Sequence, residues 1–161
     1  ATDPFHPDFR VRGIAFAGNA TTWAYLELMS LQSPDEIALG KEIIAPVFES
    51  RAEKYTFNGS FDMEGVITQG WARDVTNRTR DGMLGLIALS DGRRVKGSLR
   101  LERAVVDLLG WPQYWLVNKT MIRDLPLEQV ARGAIADACG TFALCERLTE
   151  KLERAEYMGG S

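Results

Sequence analysis

The strongest constraint on this chain is an internal echo. Gly70 to Gly97 reads GWARDVTNRTRDGMLGLIALSDGRRVKG, and Gly13 to Gly40, about 57 residues upstream, reads GIAFAGNATTWAYLELMSLQSPDEIALG. Gly13 aligns with Gly70 and Ala15 with Ala72. After a one-residue slip, Asn19, Thr21, Leu26, Leu28 and Leu31 align with Asn77, Thr79, Leu84, Leu86 and Leu89. Further on, Asn58 and Ser60 in YTFNGSF answer Asn118 and Thr120 in YWLVNKTM. A repeated period outranks local propensity, because each copy is expected to form the same supersecondary unit. The shared G-x-A, N-x-T and L-x-L-x-x-L steps read as two β units.

Local patterns are consistent with that reading. Residues 1–10 hold two prolines and the only histidine, His6, and read as an extended lead-in. Val11–Ala17 and Thr22–Leu31 read as strands joined at Gly18-Asn19. In the second, Trp23, Tyr25, Glu27 and Met29 alternate with Ala24, Leu26, Leu28 and Ser30. SPDE at 33–36 reads as a turn. Lys41–Glu49 carries β-branched residues, and Pro46 would confine such a strand to an edge or a bulge. Asn58-Gly59 is a strong hairpin signal.

In the second copy, Gly65–Ala72, Met83–Leu89, Arg94–Leu101 and Tyr114–Val117 read as strands, with a tight turn at Asp91-Gly92. Ala104–Leu109 fits a helical turn as well. From Pro126 to about Tyr157 the period changes. Leu127, Val130, Ala134, Ala138, Phe142, Cys145, Leu148 and Leu152 recur at three- and four-residue steps, the stripe of an amphipathic helix. The predicted fold is therefore α+β and mainly β: an antiparallel β-sandwich or barrel from repeats at 11–62 and 63–122, with a helix at 126–157 packed on it as one globular domain.

Residues 63–118 carry a resemblance. MEGVITQGWARDVTNRTRDGMLGLIALSDGRRV resembles the V-x-G-W-A-x-D … DGR-x-V signature of small immunoglobulin-like β-sandwich modules found beside bacterial glycosyltransferases and other glycan-handling proteins. Arg103 and Asp107-Leu108 resemble that family's R-P-D-L element, without its proline. The same stretch is similar to the G-x-V-x-N-x-T … DG-x-x-V pattern of small envelope β-sandwiches. The resemblance implies a sandwich, a glycan or envelope-protein partner, and a periplasmic or extracellular setting.

Composition narrows the function classes. The 161 residues are 45% hydrophobic and 25% charged, which suits an ordinary globular domain. A net charge of −3 gives no basic footprint for nucleic acid, and no apolar run approaches the roughly 20 residues of a membrane helix. His6 alone supplies no His-centred triad, and Gly-rich phosphate loops and paired Cys/His metal spacings are lacking, so no cofactor or metal is expected. Asp62, Glu64, Asp74, Asp81 and Asp91 sit near predicted turns, where Asp is common for backbone reasons. They would support hydrolysis only if two converged at roughly 5–10 Å. Cys139 and Cys145 lie about 9 Å apart along a helix, beyond the roughly 4.4–6.8 Å of a disulfide, and read as buried thiols.

Binding candidates are aromatic. Trp23 and Trp71 sit in strand patterns and are expected in the core. Trp111 and Trp115 bracket Pro112-Gln113-Tyr114, and either plug the end of the sandwich under the helix or face solvent beside Arg93, Arg94, Lys96 and Arg100. In the second case Trp111, Tyr114 and Trp115 would stack on a ligand whose carboxylate meets Arg94, Lys96 and Arg100. Asn19, Asn58, Asn77 and Asn118 each begin an N-x-S/T sequon, read as Asn turns rather than glycan sites. Gly133 and Gly140 fall almost on one line of the helix, open to close approach by the sheet or by a second copy. The expectation is a non-catalytic binding or assembly module. The alternatives are a subunit that oligomerises through Gly133 and Gly140, and a carboxylate hydrolase.

Overall fold

The computed structural model describes residues 10–89, 100–116 and 122–159, with side chains at all of these except 60–62 and 155–159. The mainly-β expectation is overturned. Among the described residues there are five α-helices and four short strands, in two separate two-stranded sheets and with no sandwich or barrel.

The first hairpin forms as the alternation dictates, but it is shorter. β1 (Gly13–Ala17) pairs antiparallel with β2 (Trp23–Glu27), with Gly13 opposite Glu27 and Phe16 opposite Ala24. Asn19 closes the loop: its Oδ1 accepts from Thr21 N–H at 2.8 Å and from Thr22 N–H at 2.7 Å. β2 then tightens into a 3-10 turn, Leu28–Ser30, instead of continuing to Leu31. Arg12 braces the hairpin. Its guanidinium bonds Glu27 at 3.1–3.2 Å, while Nη1 donates to the carbonyls of Ile122 and Leu125 at 2.5 and 2.6 Å.

SPDE opens α1 (Pro34–Glu49). Ser33 is its N-cap and accepts from Glu36 N–H at 3.1 Å, Pro34 takes the first helical position, and Asp35 and Glu36 fill the acid-favouring first turn. Lys41–Glu49 is thus helical, not an edge strand. Pro46 lies inside the helix and is exposed, so the Glu42 carbonyl, which it deprives of its usual donor one turn on, belongs to a residue open to water.

The Asn58-Gly59 pair also closes no hairpin. Asn58 adopts the left-handed conformation (φ 56°, ψ 48°) as the N-cap of α2 (Gly59–Thr68). This helix connects β3 (Lys54–Thr56) to β4 (Arg78–Asp81), and these strands pair in parallel. Parallel neighbours need such a crossover, which the two-residue hairpin reading could not supply.

β4 runs straight into α3 (Gly82–Leu89), where a strand was expected. Asp81 decides the matter, since its Oδ1 accepts from Met83 N–H at 2.9 Å and caps the helix. Leu101–Leu109 forms α4, which ends at Gly110 in the left-handed conformation (φ 69°). The Asp91-Gly92 turn and residues 94–99 of the expected strand lie outside the described residues, but Leu101 is helical. Trp111 to Leu116 runs without strand pairing. α5 (Leu127–Gly159) matches the periodic stretch closely and continues unbroken through Gly140.

The repeat is therefore not structural. Gly13 begins a strand, whereas Gly70 sits in a turn with φ 77°. Leu26 and Leu28 lie on β2 and its 3-10 turn, while their counterparts Leu84 and Leu86 are on α3. The same Gly, Asn and Thr residues serve two different chain paths.

Two clusters hold these elements. Ile14, Leu28, Ile44, Phe48, Val66, Trp71 and Ala72 join the hairpin, α1 and α2, with the rings of Phe16 and Phe48 5.4 Å apart. Ala104, Leu144 and Leu148, flanked by Phe57, Leu86 and Leu109, join α3, α4 and α5. α5 also packs along the hairpin, and so ties the clusters together.

Candidate functional site

The aromatic segment is anchored to α5. Gly133 and Gly140 are two turns apart, and both are buried beneath residues of this same chain. A Cβ at Gly133 would lie 2.6 Å from Trp115 Cε2 and nearer still to two other ring atoms. A Cβ at Gly140 would lie 2.9 Å from Val105 Cγ2 and 3.6 Å from Trp111. The glycines give room for these side chains, and their line offers no open face for a second copy.

Asp137 lies between the two glycines and receives the polar tips. Tyr114 Oη donates to its Oδ1 at 2.8 Å, and Trp115 Nε1 donates to its Oδ2 at 3.0 Å. Burial pushes the Tyr114 hydroxyl well above the ordinary phenol range, and the Asp137 carboxylate beside it adds to the effect. That hydroxyl keeps its proton at neutral pH and remains a donor.

The proposed ligand residues thus divide. Trp115 is buried at 8% exposure, Trp111 and Tyr114 are half-buried, and the charge they surround is anionic. Arg100 is exposed as the N-cap of α4. Arg94 and Lys96, with Arg93, lie outside the described residues. Of the other tryptophans, Trp71 is core, with Lys41 Nζ 5.9 Å from its ring centroid, but Trp23 is 55% exposed.

The polar candidates have local partners. Asp81 gives its oxygens to backbone N–H groups, and Asp74 Oδ1 accepts from Val75 N–H at 2.8 Å. Glu64 is exposed; Asp91 and the Asp62 side chain are not described. No three His, Cys, Asp or Glu side chains group as a metal site among the described residues. Cys139 and Cys145 are free and buried. Burial lifts the Cys145 thiol to about 12, with Asp81 adding to the shift, so it stays protonated and unreactive. Asn77 donates from Nδ2 to the Arg51 carbonyl at 2.7 Å. Asn118 lies outside the described residues.

A different surface remains without a partner among the described residues. α1 turns Ile37, Gly40, Ile44 and Phe48 inward, and Ile44 is fully buried. Between residues 38 and 47 the exposed positions are Ala38, Leu39, Glu42, Ile43, Pro46 and Val47. Five of these six are apolar, where an outer helix face is normally polar. Leu39, Ile43 and Val47 stand at 58%, 56% and 43% exposure and recur at four-residue steps along one line. Reading 41–49 as a strand conceals this line. The signal that recovers it is Ser33-x-x-Glu36 with Pro34 at the first position, a capping box opening a helix with two apolar faces. Compared with protein-family models, curated proteins and solved structures, the chain matches none.

Proposed function

We propose that the chain is a non-catalytic protein-binding and assembly module whose contact surface is the outer face of α1. The observation that carries this reading is the line Leu39, Ile43 and Val47, exposed beside Ala38 and Pro46 with Glu42 the only charge among them. Isolated exposed apolar residues are normal on a soluble surface. An aligned row flanked by Ala38 and Pro46 is a contiguous patch, and such patches mark interaction sites. The glycan and envelope setting rested on resemblance to a β-sandwich. The described residues form no such sandwich, so the proposal retains the binding role alone.

A photo-crosslinking residue placed at Ile43, with a control at exposed Arg132 on α5, tests this reading. In an extract of the source cells, position 43 should give a protein adduct of one defined mass, and position 132 should not. Absence of any adduct at 43, including one with the chain itself, would remove the proposal.

A further inference from the structure

We infer that the occupant of the α1 face is a second copy of this chain, docked antiparallel about a two-fold axis through Ile43. This inference rests on the assembly reading above and adds the identity of the partner. The argument comes from how charge is distributed around the apolar line. At the N-terminal end of α1, Asp35 and Glu36 are exposed, and neither makes an ion pair among the described residues. At the other end, Arg51 follows the helix by two residues and is exposed. Asn77 bonds its carbonyl, which brings the exposed Arg78 into the same neighbourhood, and Arg73 is held there through Glu49. Glu49 turns to the Arg73 N–H at 3.3 Å, and Glu53 is exposed beside these arginines. With Lys54, whose ammonium donates to the Ser50, Ala52 and Thr76 carbonyls, and exposed Asp74, the balance at this end is four cations to three carboxylates, against two unopposed carboxylates at the far end.

The spacing suits self-pairing. Ile43 lies four residues from both Leu39 and Val47, and eight from both Asp35 and Arg51. Turning one copy end over end about Ile43 places Leu39 against the partner's Val47 and the acidic end against the partner's basic end. Every contact then occurs twice, as an isologous interface requires. The helix dipoles also run antiparallel in this arrangement, and each acidic N-terminus keeps its favourable position. A parallel pairing would set Asp35 and Glu36 against their own copies, and like charges at close range disfavour it. Three large apolar side chains per copy make a small interface, so association in the micromolar range is expected.

Analytical ultracentrifugation of the full chain over about three decades of concentration, centred on the micromolar range, tests the inference. The wild type should pass from monomer to dimer. Ile43→Asp puts two like charges on the axis and should remain monomeric, with an unchanged Tm showing that the exposed site does not serve the fold. Asp35→Arg and Arg51→Glu should each weaken the dimer, by roughly 3- to 10-fold. The double variant restores opposite charges across the axis and should recover most of that loss. A wild type that stays monomeric overturns the inference, as does a dimer indifferent to Ile43→Asp or a double variant no better than the singles. If such a monomer still gives a crosslink at position 43 to a protein of another mass, only the second-copy assignment falls. If it gives no crosslink, the assembly reading falls with it.

Discussion

Trp115→Ala is expected to lower stability by about 3–5 kcal/mol, the range for emptying a buried aromatic site. The indole is buried, fills the gap left by Gly133, and donates to Asp137. Truncation opens a cavity against a rigid helix backbone that cannot close it, and takes a hydrogen bond from a part-buried carboxylate. The seat can also be tested from the helix side. An alanine normally improves a helix interior by about 1 kcal/mol over glycine. Gly133→Ala should instead destabilise, because its methyl would meet the Trp115 ring at a distance no Cβ tolerates. Urea unfolding of both variants reads the effects. If Trp115→Ala leaves the midpoint nearly fixed while Gly133→Ala raises it, Trp115 is a displayed aromatic, and the segment returns as a ligand site.

That pair also shows what could be read in advance. Two glycines on one helix line and two tryptophans around a proline are visible in the sequence, and so is the need of each for a partner. Their match joins residues 18 positions apart through a turn, which no local period records. α5 was legible because 33 residues give many turns over which a 3.6-residue stripe can repeat. α3 was not legible. GMLGLIAL is apolar on every side and only eight residues long, so strand and helix fit it equally until Asp81 caps it. α1 was recoverable from its capping box, but Pro46 and the Ile-Ile pair argued for a strand. The aligned Gly, Asn and Thr residues misled for a related reason. They report local left-handed or turn geometry, as at Asn58, Asn77 and Gly70, and that geometry serves a helix entry as well as a hairpin.

Asp81→Ala carries the second large effect, since one carboxylate organises three elements. Its Oδ1 accepts from the N–H groups of Asn58 at 3.0 Å and Met83 at 2.9 Å; Oδ2 accepts from Gly59 N–H at 2.8 Å and Thr56 Oγ1 at 3.2 Å. The start of α2, the start of α3 and the end of β3 are thereby fixed to one point. Losing two helix caps costs about 1 kcal/mol each, and losing the carboxylate partner of the Thr56 hydroxyl, which is 9% exposed and keeps only the Arg80 carbonyl at 3.5 Å, adds about 1–3 kcal/mol. The expected total is about 3–5 kcal/mol at neutral pH.

The pH dependence of that loss has a definite sign. Burial alone would raise the Asp81 carboxyl, but the N–H groups of Gly59, Asn58 and Met83, with the Thr56 hydroxyl, outweigh it and hold the pKa below the ordinary carboxylate range. A carboxylate depressed by folding contributes its full stabilisation above its unfolded value, roughly 3.9, and loses it as pH falls through the lower folded value. The gap in stability between wild type and Asp81→Ala should therefore be constant from neutral pH down to about 5 and narrow below about 4. Urea midpoints measured at half-unit steps would show it. A gap that stays constant into the acid range would mean that the charge on Asp81 does not hold these helix starts. A variant as stable as wild type at neutral pH would mean that neither the charge nor the hydrogen bonds do.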